Sequence, residues 1–241
     1  MNASLIPENA GVADIGCDHG YVSIYLTKEK GCRVIAMDVR EGPLSIARQN
    51  IQRAQLAEQI ECRLSDGIME LLPGEADTLL LGGMGGMLIV SILQKRPDVM
   101  EKVETVVLQP QSDWHKVRQN LLLMGFVIDR EAFCVDAGKD YLAIRGRRPK
   151  DGRKVGEGRL VFENCTEAEL SYGRYLSYIR EENYHRYLLR EQNKYIKIRK
   201  NLTGKSGNAL GRIEEITHIL DMLEETLRLF RKPEEMEIRG N

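Results

Sequence analysis

The sequence predicts a doubly wound α/β domain over residues 1–148 and an α-helical domain over residues 149–241. Apolar strand-like runs alternate with amphipathic helical stretches through the first part, which is typical of a parallel sheet covered on both faces. The last two apolar runs of this part are joined by a segment that ends in a Gly-Lys-Asp turn, which indicates a terminal antiparallel hairpin. In the second part, apolar residues recur at helical spacing.

Five strands and four helices alternate in the first part. The predicted strands are Gly11–Ile15, Arg33–Asp38, Ile60–Leu64, Thr78–Gly82 and Thr105–Gln109. The predicted helices between them are approximately Tyr21–Glu29, Pro43–Ala54, Gly86–Gln94 and Ser112–Met124. The hairpin follows as Phe126–Phe133 and Tyr141–Arg147. Parallel strands in this arrangement bring their carboxyl ends to one edge of the sheet, where such folds bind ligands.

The second part reads as two helices behind a linker. Residues 145–158 are rich in charge and glycine, which predicts the linker. One irregular helix is predicted over Ala168–Leu202, and the TGKSGN sequence at 203–208 predicts a break after it. A coiled-coil seam follows at 3,4,3,4,3 spacing, formed by Ile213, Ile216, Leu220, Leu223, Leu227 and Phe230. A seam this short predicts that the two helices pair as an antiparallel, coiled-coil-like hairpin.

Composition narrows the class of protein. Hydrophobic residues make up 42% of the 241 residues, which is enough for a sizeable core. The five cysteines are widely spaced and never form CxxC, so we expect neither disulfides nor a metal site. The first nine residues lack a secretory apolar run, and the longest uncharged run, 78–94, is too short for a membrane span. We therefore expect a soluble cytoplasmic protein, and we favour a monomer.

The net charge of −1 hides a strong asymmetry. Residues 1–144 carry a net charge of −6, residues 145–210 carry +8, and residues 211–241 carry −3. The basic stretch indicates a surface for a polyanion, and tyrosines interleaved with basic residues such as Arg186 and Arg190 are typical of an RNA surface. Two alternatives stay open: a solvated helix face for the charges, and helix packing for the tyrosines.

The richest motif is VADIGCDHGY at residues 12–21, where a strand ends, a glycine turn follows and a helix begins. Such a turn presents backbone N–H groups to a ligand. Its glycines, Gly16 and Gly20, are spaced GxxxG rather than the GxGxxG of dinucleotide enzymes. Asp14 and Asp18 would repel a pyrophosphate but suit the cationic sulfonium and ammonium of S-adenosylmethionine (SAM). The alternative is a tight turn without a ligand.

Two further strands also end in acidic residues. Asp38 ends the second strand, where a carboxylate can accept hydrogen bonds from both ribose hydroxyls of a nucleoside. Asp66 follows the third strand in Ser-Asp-Gly, where it can accept a hydrogen bond from an adenine amino group. Either aspartate alone could simply cap the next helix. Three acidic strand ends in succession favour a SAM site.

The fourth and fifth strands end in segments suited to an acceptor. The fourth ends in Gly-Gly-Met-Gly-Gly at 82–86, which lets the backbone approach a flat group with the Met84 thioether against it. The Asn-Pro-Pro-Tyr sequence that serves exocyclic amines is absent. A turn needed only for helix packing is the alternative. After the fifth strand, Gln109 offers an amide on a turn stiffened by proline, suited to a base edge.

Together these motifs resemble the bacterial tRNA (adenine-22 N1)-methyltransferase family. The sequences that carry the resemblance are DIGCDHGY, DVREGPLSIA, SDG, GGMGG and LQPQ, in this order, and the two-helix tail agrees as well. The family implies a Rossmann-like class I methyltransferase sheet that binds SAM, a C-terminal helical domain, and tRNA as substrate. Family members begin with an extra helix before the first strand, whereas only ten residues precede Gly11 here.

The resemblance also assigns residues. It places the family's cofactor contacts at seven positions: Asp14, Gly16, His19, Asp38, Asp66, Gly67 and Met84. We add three neighbouring residues to the expected cofactor contacts: Cys17, Val39 and Gly82. The family's functional aspartate falls on Asp18. For the substrate we expect contacts from Tyr21, Gly85, Gln109, Arg186 and Arg190.

The predicted activity is methylation of N1 of an adenine in tRNA. N1 of neutral adenine has an in-plane lone pair and no proton, so the enzyme needs positioning rather than a strong base. The product is a cation, which a carboxylate stabilises, and Asp18 is the candidate. Two alternatives stay open: a small-molecule SAM methyltransferase, which has no evident use for the basic tail, and a non-catalytic RNA-binding protein with a vestigial SAM site.

Overall fold

The computed structural model describes residues 1–149, 165–202 and 209–230. The described chain divides into two compact units. The first contains Met1–Ala132 and 141–149, and the second contains Phe133–Asp140 with 165–202 and 209–230. The end of the terminal hairpin thus groups with the C-terminal helices. The domain boundary after residue 148 stays a prediction.

The first unit alternates strands and helices as the sequence predicts. Its elements, with the whole hairpin included, are α1 (Asn2–Leu5), β1 (Gly11–Ile15), α2 (Tyr21–Lys30), β2 (Arg33–Asp38), α3 (Glu41–Arg53), β3 (Ile60–Leu64), β4 (Thr78–Met84), α4 (Gly86–Gln94), α5 (Pro97–Met100), β5 (Thr105–Pro110), α6 (Trp114–Leu123), β6 (Val127–Asp136) and β7 (Lys139–Arg147). The ten residues before β1 contain one short helix, α1, of a single turn.

The seven strands form one sheet in the order β3-β2-β1-β4-β5-β7-β6. Strands β1 to β5 are parallel, and β7 runs antiparallel to β5. Every residue of β5 is buried, as the two-sided covering of a central parallel strand requires. The predicted fold class is confirmed. The strand order reverses between β1 and β4, and this switch point is where open α/β sheets form a ligand crevice.

The predicted linker begins too early. Arg145 lies within β7, and its guanidinium donates to both carboxylate oxygens of Asp129 (2.8 and 2.7 Å) and to the Leu5 carbonyl (3.1 Å). Arg148 donates to the carbonyls of Met100 and Val103. These arginines are structural because their fixed donors satisfy oxygens at the ends of other elements. Residues 150–158 of the predicted linker lie outside the described residues.

The second unit contains four described helices: α7 (Glu167–Tyr172), α8 (Tyr175–Tyr178), α9 (Glu182–Leu202) and α10 (Ala209–Arg228). The prediction of one helix over Ala168–Leu202 is wrong. The backbone takes positive φ at Gly173 (72°) and Arg180 (53°), which no right-handed helix accommodates. Within the described ranges, no helix is long and apolar enough to cross a membrane.

The helices α9 and α10 pack against each other. The ring of His185, near the start of α9, stacks on that of Phe230, just beyond the end of α10, at 4.7 Å. The start of one helix therefore meets the end of the other, as in an antiparallel hairpin. Ile216 and Leu223 of the predicted seam are fully buried. The coiled-coil geometry stays a prediction, and the predicted break at 203–208 lies outside the described residues.

The tyrosines of the second unit favour the packing alternative. Tyr184 is fully buried, and its hydroxyl donates to the Tyr172 carbonyl. Its ring meets those of Phe133 (5.1 Å) and Tyr187 (5.5 Å). Edge-to-face and offset ring contacts of this kind stabilise a small core. Phe133 belongs to the hairpin end, which explains why that segment groups with the helices.

Candidate functional site

A cleft of about 210 Å³ opens at the carboxyl ends of β1 and β4, at the switch point of the sheet. All of its lining residues belong to the first unit. They are Asn2, Asp14, Gly16, Cys17, Asp18, His19, Tyr21, Val22, Leu80, Gly82 and Gln109. Eight of these eleven are residues that the sequence analysis assigns to the site: seven to cofactor or substrate, and Asp18 to catalysis.

The loop between β1 and α2 is shaped by backbone hydrogen bonds to the neighbouring strand. The N–H groups of Gly16 and Cys17 both donate to the Met37 carbonyl, at 2.8 and 2.9 Å. Gly16 has φ of 74°, and a Cβ there would lie 2.4 Å from the Met84 methyl carbon. Met84 therefore lies directly over this glycine. Burial raises the pKa of the Cys17 thiol, so Cys17 stays protonated and offers no nucleophile.

Asp14, in β1, places a buried carboxyl at the base of the cleft. The Ser23 hydroxyl donates to its Oδ2 at 2.6 Å. Burial raises the pKa of Asp14 to about 6; the Ser23 hydrogen bond lowers that pKa, and the nearby Asp38 charge adds to the rise. A cation entering the cleft would find a carboxyl that readily gives up its proton.

Asp38 ends β2 and holds the same loop from the other side. Its Oδ2 accepts a hydrogen bond from the Asp18 backbone N–H (3.2 Å), and its Oδ1 accepts one from the Arg40 N–H (2.9 Å). The side chain is buried, whereas the following Val39 is exposed. One carboxylate thus fixes two backbone segments beside the cleft.

Asp18, His19 and Tyr21 line the cleft at its solvent side. Asp18 has φ of 51°, and its side chain is 62% exposed. His19 Nδ1 lies 3.3 Å from its carboxylate, and the His19 ring meets the Tyr21 ring edge-on at 6.2 Å. Tyr21 is 68% exposed. An exposed carboxylate and an exposed aromatic ring therefore stand together at the opening.

Strand β4 continues beyond its predicted end at Gly82 to Met84, and Gly82 of β4 and Gln109 of β5 form another part of the cleft lining. The Gly83 N–H donates to Gln109 Oε1 at 2.9 Å. A Cβ on Gly82 would lie 3.0 Å from Asn2 Nδ2 and 3.4 Å from Gln109 Oε1, so two amides flank this glycine. Gly85 precedes α4, and a Cβ there would lie 3.6 Å from the Ser112 hydroxyl.

Other predicted residues lie outside the cleft lining. Asp66 is 64% exposed, and its Oδ2 accepts a hydrogen bond from Lys95 Nζ at 2.8 Å. Gly67 has φ of 63° and packs against Ile92. In the second unit, Arg186 pairs with Glu182 and Arg190 with Asp140.

Sequence reasoning missed four residues of the site. The hydroxyl of Ser23, in the first turn of α2, donates a hydrogen bond to Asp14, a spacing that the motif could have suggested. Val22 and Leu80 are apolar wall residues without a chemical signature. Asn2 reaches the cleft from α1, which Arg145 ties down through the Leu5 carbonyl. Among the described residues, no cluster of His, Cys, Asp and Glu could hold a metal ion.

Comparisons with known proteins agree with this arrangement. A family model described as a methyltransferase domain matches residues 1–144. The tRNA (adenine(22)-N(1))-methyltransferase of Bacillus subtilis strain 168 is 33% identical over 165 residues, 66% of this chain and 69% of the relative. Two further tRNA methyltransferases of similar name are 29% identical; the one from Mycoplasma genitalium aligns over 52% of this chain and 56% of its own length.

Solved structures share the fold over nearly the whole chain. The B. subtilis tRNA methyltransferase TrmK has a TM-score of 0.79 at 23% identity and covers 94% of this chain and 95% of its own. TrmK from M. capricolum, in complex with the cofactor product S-adenosyl-homocysteine, has a TM-score of 0.78 at 23% identity, covering 95% and 96%. The matched family model and the B. subtilis relative together lead to one conclusion: the chain belongs to the bacterial tRNA (adenine-22 N1)-methyltransferase family.

Proposed function

We propose that the protein transfers a methyl group from SAM to N1 of adenine 22 in tRNA. The observation that carries this proposal is the acidic cleft at the switch point, which Asp14 and Asp18 line and whose loop Asp38 holds. Family membership supports the choice of nucleotide, because the B. subtilis relative is named for adenine 22. Tyr21, exposed at the opening, supports a base that is turned out of its helix.

The residues present fit SAM. Asp14 offers a buried carboxylate for an ammonium group, and Asp38 retains acceptor capacity for ribose hydroxyls after accepting from Asp18 and Arg40. Gly16 and Cys17 shape the loop, with His19 and Gly82 beside it and Met84 over Gly16. We assign Val39, Asp66 and Gly67 to the adenosine end, as the family pattern implies. When bound, SAM supplies an activated methyl group on a sulfonium.

Asp18 supplies the chemistry that the protein itself contributes. The N1 lone pair forms a bond to the methyl carbon as the carbon–sulfur bond breaks, which leaves a positive charge on the adenine ring. The Asp18 carboxylate stabilises that charge and accepts a hydrogen bond from the N6 amino group. No proton has to leave N1 before attack, so a base stronger than a carboxylate is not required.

The remaining assignments concern the substrate and the cell. We assign Tyr21, Gly85 and Gln109 to the base, and Arg186 and Arg190 to tRNA phosphates. The net charge of +8 over residues 145–210 supports this second surface, since the acidic first part repels a polyanion. A tRNA substrate also supports a cytoplasmic location, and we propose that the protein acts as a monomer.

The test is methylation of bulk tRNA that lacks modifications, using SAM labelled in its methyl group, followed by mapping of the labelled nucleoside. The expected product is 1-methyladenosine at nucleotide 22. Label on N6 contradicts the assigned position. Equal activity on free nucleosides favours the small-molecule alternative, and tRNA binding without transfer favours the non-catalytic one.

A further inference from the structure

Gln109 has a buried amide nitrogen that the protein leaves without a partner. The residue is only 8% exposed and belongs to the cleft lining. Its Nε2 makes no hydrogen bond within the described part of the chain. Buried amide donors are nearly always paired, because desolvating one without a partner is costly. An unpaired donor at a ligand cleft therefore points to an acceptor atom on the ligand.

The orientation of this amide is fixed by its other end. The Gly83 backbone N–H can only donate, and it lies 2.9 Å from Oε1, so the oxygen faces Gly83 and the nitrogen faces away. Oε1 keeps a second lone pair. Asn2 flanks Gly82 from the other side, with its Nδ2 3.0 Å from where a Cβ would stand. Asn2 and Gln109 therefore line the same side of the cleft, and a ligand atom that binds Nε2 lies beside Asn2.

We propose that Gln109 reads the N6/N7 edge of the target adenine, an inference that rests on the proposed function. Nε2 donates to N7, and Oε1 accepts the N6 hydrogen on the N7 side. Glutamine matches this acceptor–donor pair of adenine. N1 cannot be the acceptor for Nε2, because its lone pair attacks the methyl carbon. The other N6 hydrogen, on the N1 side, stays available to Asp18.

This interaction gives the site a preference for adenine over guanine. Guanine carries O6, an acceptor, where adenine carries the N6 amino donor. Placed in the same position, O6 would face the Gln109 oxygen, and two acceptors would meet in a buried wall. Guanine N1 also carries a proton and has no free lone pair for the methyl group. Gln109 therefore selects the base by an edge remote from the reacting atom.

The test replaces one atom of the substrate. A tRNA with 7-deazaadenosine at nucleotide 22 lacks the N7 acceptor but keeps N1 and N6. We expect single-turnover methylation by the unaltered protein to slow about tenfold to a hundredfold, the range for one good amide–base pair. Equal rates on the two tRNAs overturn the inference while leaving the proposed function intact. No methylation of the ordinary tRNA overturns the proposed function itself.

A protein variant, combined with the two tRNAs, completes a double-mutant cycle between Gln109 and N7 of the adenine. Gln109→Met keeps the length of the side chain and removes the amide, so it loses the acceptor for N6 as well as the donor for N7. We expect it to slow methylation of ordinary tRNA at least as much as the deaza substitution does, and to methylate the ordinary and the deaza tRNA at equal rates. Independent, multiplied reductions overturn the inference, as does a weaker SAM affinity, which would assign the amide to the cofactor. Gln119→Met, exposed on α6, is the matched control. If Gln109→Met fails to fold, Gln109→Glu keeps the Gly83 acceptor and replaces the donor.

Discussion

Three aspartates lie in or beside the loop between β1 and α2, and their surroundings give them different properties. Asp14 is buried with a raised pKa, Asp38 is buried but accepts two backbone N–H groups, and Asp18 is exposed. Such differences separate the roles of chemically identical groups. In our proposal Asp14 binds a cation, Asp38 binds the ribose, and Asp18 stabilises the product charge.

The affinity for SAM should rise with pH through about 6. The folded pKa of Asp14, about 6, lies above its ordinary value of 3.8, so the ligand-free protein holds an extra proton between these pH values and loses stability as pH rises through them. Binding an ammonium group requires the charged form. We expect SAM affinity to increase about tenfold from pH 5 to pH 7, measured by calorimetry. Asp14→Asn should bind weakly with no such increase; an unchanged slope in this variant contradicts the role.

Replacing Asp38 should weaken SAM binding far more than replacing Asp66. Asp38→Ala removes a buried acceptor, and we expect a loss of about 1.5–3 kcal/mol, the range for charge-assisted hydrogen bonds. Asp66 is largely exposed and already paired with Lys95, so Asp66→Ala should cost less than about 1 kcal/mol. Titration calorimetry with SAM measures both. Unaltered affinity in Asp38→Ala would falsify the ribose assignment.

Asp18→Asn isolates the charge of the proposed catalytic residue. Asparagine tolerates the left-handed backbone at this position, so the loop should keep its shape. We expect methylation to fall by about two orders of magnitude or more, with SAM affinity retained. Asp113→Asn is the matched control, because Asp113 also has positive φ and lies outside the cleft lining. Wild-type turnover in Asp18→Asn would remove the assignment.

At the scale of elements, α4 begins at a closely packed point beside the site. A Cβ on Gly86 would lie 2.4 Å from the Ser112 carbonyl oxygen, a backbone atom that cannot move aside cheaply. We expect Gly86→Ala to lower the free energy of unfolding by about 1–3 kcal/mol, the range for overpacking. Gly42, in α3, has open space around it, so Gly42→Ala should be neutral or stabilising by up to about 1 kcal/mol. Urea denaturation compares the two; equal stabilities contradict the packing account.

Element boundaries were predictable where hydrophobic periodicity and turn residues agreed. The first three predicted strands coincide with β1, β2 and β3: β1 and β2 are mostly apolar, β3 alternates apolar and charged residues, and each ends at or just before a glycine, aspartate or serine. The prediction of one long helix over 168–202 was wrong at Arg180, because the sequence around a non-glycine residue does not indicate that its φ is positive. Tertiary packing fixes such a residue, and periodicity alone does not reveal it.

Part of the cleft was also predictable from the sequence. Residues at the ends of β1 and β4 follow from the parallel topology, which brings strand ends to one edge. Asn2 does not, since its position depends on a hydrogen bond between Leu5 and Arg145 that spans 140 residues of chain. The partner of Gln109 Oε1 was likewise hidden, because backbone donors leave no trace in residue type.

At the scale of the whole molecule, the separation of charge along the chain indicates that cofactor binding and tRNA binding use different parts of the sequence. The cofactor motifs lie in residues of net charge −6, and the net charge of +8 follows them in the chain. Basic side chains of the second unit pair with carboxylates of the same unit, Arg186 with Glu182 and Arg190 with Asp140. Exposed pairs of this kind contribute little to stability, so their arginines can exchange a carboxylate for a phosphate.

Reversing these two charges should weaken tRNA binding. For the double variant Arg186→Glu and Arg190→Glu we expect a lower affinity, and a salt dependence reduced by about 0.7–0.9 log units per log unit of salt for each phosphate that is no longer neutralised. Filter binding across a salt series measures both quantities. Arg48→Glu, at an exposed arginine paired with Glu41 in the first unit, controls for the reversal of one paired surface charge, and each single variant, Arg186→Glu or Arg190→Glu, is compared with it. If the salt dependence of the double variant is unaltered, these arginines do not bind tRNA phosphates, and the alternative of a solvated helix face is favoured.

The two backbone hydrogen bonds to Asp38 have a consequence for the thermodynamics of ligand entry. The carboxylate that would receive the ribose is already held by the chain's own amides, and one of those amides belongs to Asp18. The loop is thus preorganised, and the entropy of ordering it is lost during folding rather than during binding. In our proposal, a substitution of Asp38 that alters recognition of the ribose also moves Asp18, the carboxylate that we assign to the base. Cofactor affinity and catalytic geometry are inherited together.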